Sequence, residues 1–257
     1  KNALIAIIII APLFGILGTM IVNNNLAFFS DALGHSVFTG MAIGVILGLT
    51  NTNIAMVIFG IIFAILLNYI KSKKTVSTDT IISVFSSLST AIGLVILSRG
   101  GNFNEYSSLL VGDILSITAI EIIYLLIILV ITSVFWIMFF NKLHAISISE
   151  SLARSRNINI KIIDTCFSIL IALVVMLSIK WVGMLIINAL LILPAAASRN
   201  IAHNMREYHL FSVIISIFTG ITGLILSFYV ETATGPTIAI LASIVFFCTL
   251  IIKPKVK

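Results

Sequence analysis

The sequence carries very little charge. Asp, Glu, Lys and Arg together make up 9% of its 257 residues, against about 25% in an ordinary soluble domain. Hydrophobic residues make up 60%, and the mean hydropathy is +1.23. No polar stretch is long enough to build a soluble core of its own, so the reading is one polytopic helical membrane domain over residues 1–257. Cysteine is scarce: Cys166 and Cys248 both sit in apolar runs. That excludes a disulfide framework or a Cys-pair metal motif and leaves two free thiols inside apolar surroundings. Alternating short strands are absent, and the apolar runs are continuous, which excludes a transmembrane barrel. Three reaction motifs are also missing. Without G-x-x-x-x-G-K-[ST] the chain has no phosphate loop for hydrolysing ATP, and it has neither H-E-x-x-H nor G-x-S-x-G.

What is present is a succession of nine apolar runs long enough to cross a bilayer, at 3–22, 32–49, 54–70, 80–98, 117–140, 162–179, 182–198, 210–230 and 235–252. The first has no small-residue cleavage site and is read as a spanning helix, not a signal peptide. The net charge of +6 resides in short connecting segments, a topology signal and not a nucleic-acid footprint. Lys71, Lys73 and Lys74 follow the third run; Lys142, Arg154, Arg156 and Lys161 the fifth; Arg199 and Arg206 the seventh; Lys253, Lys255 and Lys257 the ninth. All four segments fall on one side, which the positive-inside rule makes cytoplasmic, with the N-terminus outside and the C-terminus inside. Lys180 and Arg99 fall on the other side.

Gly40, Gly44 and Gly48 recur every four residues in the second run, a small-residue stripe for close helix packing. Pro12 and Pro194 interrupt the first and seventh runs. The fourth run is rich in hydroxyls (Ser83, Ser86, Ser87, Ser89, Thr90), which serve helix-to-helix hydrogen bonds or line a hydrophilic path. Residues 109–115 are too few to span and read as a half-helix or re-entrant piece.

Ionisable groups at the mouth of a membrane helix call for a function. Asp31 and His35 lie at i and i+4, hence on one helical face. One carboxylate oxygen and one imidazole nitrogen suit a divalent transition metal. Ser30 or Asp31 could equally cap the second helix, and on these residues alone both readings stand. Asn188, in the middle of the seventh run, serves as helix glue or as a further path ligand. Asp113, Glu105, Glu121 and Glu231 map to the outer face, where acidic groups attract cations. His203 and His209 map to a cytoplasmic loop and receive no metal role. In the cytoplasmic loop 141–161, Ser149 to Arg154 reads as a short amphipathic helix, either a simple joint or a docking element for a soluble partner.

In order and spacing these segments resemble one family. Ser30-Asp31-Ala32-Leu33-Gly34-His35-Ser36-Val37-Phe38-Thr39-Gly40 resembles the S-D-A-L-S-H-A-x-x-P-G segment of the transmembrane permeases of zinc, manganese and iron ABC importers. Thr78-Asp79-Thr80, Leu110-Val111-Gly112-Asp113-Ile114-Leu115, Glu150-Ser151-Leu152-Ala153-Arg154, the stretch from Val182-Gly183-Met184 to Pro194-Ala195-Ala196-Ala197, and Gly235-Pro236-Thr237 resemble its successive blocks. Three positions depart from the pattern: Gly34 stands for Ser, Thr39 for Pro, and Asn157 for Gly.

The resemblance implies a type II ABC importer-like fold and a permease subunit in a bacterial plasma membrane, surrounded by lipid, with no ATPase site of its own. It implies a homodimer, cytoplasmic ATPase subunits that bind ATP and dock on the 141–161 loop through Glu150, Ala153 and Arg154, and an extracytoplasmic metal-binding protein. No permanently bound cofactor is implied. The cargo is manganese, zinc or iron(II), moved by alternating access, with Asp31 and His35 as transient ligands. A two-ligand site with exchangeable waters releases an ion that a closed four-ligand site would retain. Two alternatives remain: an ABC permease for metal chelates such as siderophores or cobalamin, and an ion-gradient-driven secondary metal transporter. An intramembrane enzyme lacks a catalytic set.

Overall fold

The computed structural model describes residues 1–49, 52–71, 77–99, 112 and 114–252. The regular structure in them is helical: α1 (Asn2–Asn23), α2 (Ala27–Ile46), α3 (Thr52–Lys71), α4 (Thr78–Arg99), α5 (Ala119–Ile148), the short α6 (Glu150–Ser155), α7 (Ile160–Val182), α8 (Met184–Ile201), α9 (Met205–Val230) and α10 (Thr234–Ile252). Among the described residues, nine of these are long and apolar enough to cross a membrane, as the apolar runs predict.

Three boundaries differ from the hydropathy reading by five residues or more. α2 starts at Ala27 instead of 32, α5 runs on to Ile148 instead of 140, and α9 starts at Met205 instead of 210. At the start of α9 polar residues lower hydropathy without disfavouring the helix, because they satisfy its first N–H groups. At α9 the Asn204 side chain accepts from Glu207 N–H at 2.9 Å, while the Glu207 carboxylate accepts from His203 N–H at 2.9 Å, a reciprocal capping box. His209 therefore lies within α9 and not in the preceding loop, whereas His203 does lie in that loop. Of the 109–115 piece, Gly112 and the 3₁₀ turn Ile114–Ser116 are described; Leu109, Leu110, Val111 and Asp113 lie outside the described residues, as do Glu105, Lys73, Lys74, Lys253, Lys255 and Lys257.

The chain gathers into two compact units. Unit 1 comprises residues 1–25, 109–138 and 181–257, and unit 2 comprises 26–108 and 139–180. In unit 1, α1 lies antiparallel to α9 in a four-residue register. Tyr208 OH donates to Thr19 O, Ser212 Oγ to Gly15 O at 2.7 Å, and Ser216 Oγ to Ala11 O at 2.7 Å, while Gly220 faces Ile7. Serine hydroxyls here substitute for the solvent that a buried backbone carbonyl would otherwise contact. Gly18 lets α1 approach α8 so closely that a Cβ there would collide with the Leu191 carbonyl.

In unit 2, α2 packs on α3 and α4. Gly40 and Gly44 face α3: a Cβ on Gly40 would stand 2.9 Å from Met56 Cα, and one on Gly44 3.1 Å from Ala55 Cβ. Gly48 does not share that stripe. It lies past the end of α2 at φ +63 with nothing within 4 Å of a would-be Cβ, so its role is the left-handed turn that ends the helix. On the other side of α2, a Cβ on Gly93 of α4 would sit 2.5 Å from the Phe38 carbonyl carbon and from Thr39 N. Thr39 Oγ1 donates to Ser89 O, and Ser89 Oγ donates back to Thr39 Oγ1 at 3.0 Å. Thr39 thus stands where the family pattern has proline and ties α2 to α4 with its hydroxyl.

These contacts predict a graded response to added methyl groups. Gly93→Ala should destabilise the protein by about 1–3 kcal/mol, the usual range for overpacking, because the obstacle is backbone and cannot rotate away. Gly48→Ala meets open space and should cost about 1–2 kcal/mol through its left-handed φ alone. Thermal unfolding in detergent with size-exclusion analysis of the folded fraction measures both, and only Gly93→Ala should also disturb the α2–α4 site described next.

Candidate functional site

The polar end of unit 2 is built from two helical stripes. On α2 the side chains of Phe28, Asp31, Ala32 and His35 recur at i, i+3, i+4 and i+7 and share a face. On α4 the same spacing brings together Asp79, Ile82, Ser83, Ser86 and Ser87. The helices run parallel: 38–39 of α2 meets 89–93 of α4 at the glycine seam, and 28–35 faces 79–87 one to three turns earlier. Between these earlier turns lies a cavity of about 370 Å³. Water occupies about 30 Å³ per molecule, so a divalent ion with six waters fits inside it.

Asp31 and His35 form the chemical centre of that cavity. His35 Nε2 stands 3.8 Å from Asp31 Oδ2, and their side chains are 35% and 43% exposed. That separation is too long for a hydrogen bond. Donors bound to one tetrahedral ion at about 2.0–2.2 Å stand about 3.3–3.6 Å apart, so a small side-chain rotation lets both reach the same ion. Their partial exposure leaves room for water in the remaining coordination positions. The capping alternative fails here. The residue preceding α2 is Leu26, no side chain caps the helix, and Ser30 Oγ donates to Ala27 O at 2.8 Å. Asp31 is the fifth residue of α2, one turn inside it. Among the described residues no three His, Cys, Asp or Glu side chains group closely enough to hold a metal together, so an ion at this pair would take two protein ligands of these types.

The remaining candidate residues are dispersed. Asn188 lies half-buried on α8 in unit 1. Glu121 accepts from Thr118 N–H at 2.8 Å and caps α5, and Glu231 is the exposed left-handed residue that ends α9. His209 Nδ1 lies 2.7 Å from Thr19 Oγ1, joining α9 to α1. Cys166 is partly buried and Cys248 exposed, both as free thiols.

The short helix α6 has a built shape. Ala153 is fully buried, and its carbonyl accepts from both Arg156 and Ile158 N–H. Glu150 and Arg154, one turn apart at 3.5 Å, are exposed. Asn157 follows in the left-handed region at φ +54, which explains why the family pattern has glycine there: only glycine, or asparagine at modest cost, adopts that conformation readily.

Sequence reasoning missed Asp79 as a member of the site. The signal existed, since Asp79, Ser83, Ser86 and Ser87 repeat at helical spacing, but periodicity does not identify which helix they face.

The profile of the ABC 3 transport family matches residues 1–253. The chain is 34% identical over 249 residues to the high-affinity zinc uptake system membrane protein ZnuB of Haemophilus influenzae, covering 96% of this chain and 95% of that one. It is 28% identical over 260 residues to the manganese import system permease protein ScaB of Streptococcus gordonii, covering 99% and 91%. Its fold superposes on a chain of PsaBC from Streptococcus pneumoniae in complex with Fab with a TM-score of 0.86 at 27% identity, covering 99% and 91%. It also superposes on an inward-facing metal-chelate type ABC transporter with a TM-score of 0.74 at 12% identity, covering 97% and 85%, a likeness of fold alone. With nine apolar helices and a family match along nearly its whole length, this multi-pass membrane protein belongs to the ABC 3 transport family.

Proposed function

We propose that this chain is the permease subunit of an ATP-driven bacterial importer for a bare divalent transition metal: manganese, zinc or iron(II). The observation that carries the reading is the Asp31–His35 pair, 3.8 Å apart and half-exposed in a polar cavity, in a chain whose relatives are named for zinc and manganese uptake. Asp31 and His35 bind the ion transiently, and water completes its shell. Two exchangeable ligands hold the ion firmly enough to replace part of its hydration and weakly enough to let it go. Two copies of the chain form a homodimer in the plasma membrane. An extracytoplasmic metal-binding protein delivers the ion, and two cytoplasmic ATPase subunits bind and hydrolyse the ATP that drives alternating access.

The ATPase docks on the 141–161 segment. There the buried Ala153 anchors α6, and the exposed Glu150 and Arg154 meet the partner. An exposed ion pair adds little to stability, so Glu150→Ala and Arg154→Ala should leave the melting temperature of the permease unchanged. They should reduce co-purification of the ATPase and uptake in parallel. Asn157→Val, which forces a β-branched residue into a left-handed position, should weaken docking as well, and Asn157→Gly should preserve it. Pull-down of the ATPase from detergent extracts compares all four.

The reading itself is tested by ATP-dependent uptake of manganese, zinc and iron(II) into vesicles that hold the chain, its ATPase and its binding protein. Native complex should accumulate at least one of the three. Asp31→Ala and His35→Ala should each abolish uptake while the complex still assembles. Uptake that persists in both variants would remove the pair from the ion path, and accumulation of a chelate in place of bare ions would replace the proposed cargo.

A further inference from the structure

The cavity has a second wall, and that wall carries a second carboxylate. Asp79 lies in the first turn of α4, opposite Asp31 and His35, with Ser83, Ser86 and Ser87 continuing its stripe. It is not needed to cap the helix: Thr80 N–H donates to Ser77 Oγ at 3.3 Å, and Ile81 N–H donates to Ser77 O at 3.2 Å. Among the described residues the ion pairs are His35 with Asp31 and Arg154 with Glu150, so no described basic side chain pairs with Asp79. The two carboxylates that face the cavity are opposite in charge to the divalent cation that would occupy it. Asp79 does not group with Asp31 and His35 closely enough to chelate the same ion directly.

From these placements we infer that Asp79 is a second carboxylate of the ion path, one that holds the divalent cation through its water shell. In this arrangement Asp31 and His35 contact the ion directly. Water on the opposite side of the ion donates to the Asp79 carboxylate and to the hydroxyls of Ser83, Ser86 and Ser87. The ion keeps those waters, which makes its binding reversible. It also gains a second negative charge facing it across the cavity. The inference rests on the proposed metal-import function and adds to it the groups that face the hydrated side of the ion.

The test is Mn²⁺ binding to the permease–ATPase complex in nanodiscs, followed by loss of the free-ion EPR signal, for native protein and for Asp79→Asn, Asp79→Glu and Asp31→Asn. Removal of a group that contacts a metal's water or ligands weakens affinity by about 10–100-fold. Asp79→Asn should therefore raise the half-saturating Mn²⁺ concentration by about 10-fold, and Asp79→Glu should restore most of the loss at an unchanged unfolding temperature. Native-like binding by Asp79→Asn beside weakened binding by Asp31→Asn overturns the inference and leaves the proposed pair standing. Weakened binding by Asp79→Asn beside native-like binding by Asp31→Asn supports Asp79 and removes the pair. A loss that Asp79→Glu does not restore, accompanied by a lower unfolding temperature, marks Asp79 as structural and also overturns the inference.

Discussion

Apolar side chains gain nothing by leaving lipid for one another, so helices in a bilayer associate where their backbones approach closely and where hydroxyls bond across the gap. In unit 2 that constraint converges on Gly93. Its missing side chain admits the Phe38–Thr39 peptide of α2, and the Thr39–Ser89 hydroxyl pair adds direction to the contact. With α2 and α4 held together at that level, their first turns face each other across a polar cavity. The site depends on this seam, because neither stripe of polar groups encloses a cavity by itself.

Unit 1 follows the same constraint by a different route. Ser212 and Ser216 donate to carbonyls of α1, one of them immediately before Pro12. Gly18 brings α1 against the Leu191 carbonyl, one turn before the Pro194 interruption of α8. Ser212, Ser216 and Gly18 of unit 1, with Thr39, Ser89 and Gly93 of unit 2, join helices, while Ser83, Ser86 and Ser87 line the cavity.

Much of this was legible in the residues. The apolar runs marked nine spanning helices, and the i, i+4 spacing of Asp31 and His35 put both on one face. Asn157 stands where the family has glycine and adopts the backbone conformation that explains it. Helix ends were less legible: Ala27 to Asp31, Asn141 to Ile148 and Met205 to Glu207 include polar residues that lower local hydropathy yet belong to helices, and at α9 side-chain capping satisfies terminal groups that hydropathy does not register. The capping reading of Asp31 turned on this point, because a helix starting at 32 makes Asp31 a cap and one starting at 27 makes it a cavity-lining residue. Gly48 continued the spacing of Gly40 and Gly44 but fell beyond the helix end, where it meets no neighbour.

The sequence alone determined the membrane class and the sharing of a face by residues three and four apart, which follow from composition and from the fixed geometry of one helix, both local properties; its ordered motifs carried the family resemblance. The tertiary structure decided which faces meet. Asp79 joins Asp31 and His35 only because Gly93 lies against Thr39. Apolar stripes are interchangeable in hydrocarbon, so partner choice rests on shape at a few small residues, and shape complementarity between distant segments is not written in the periodicity of either one.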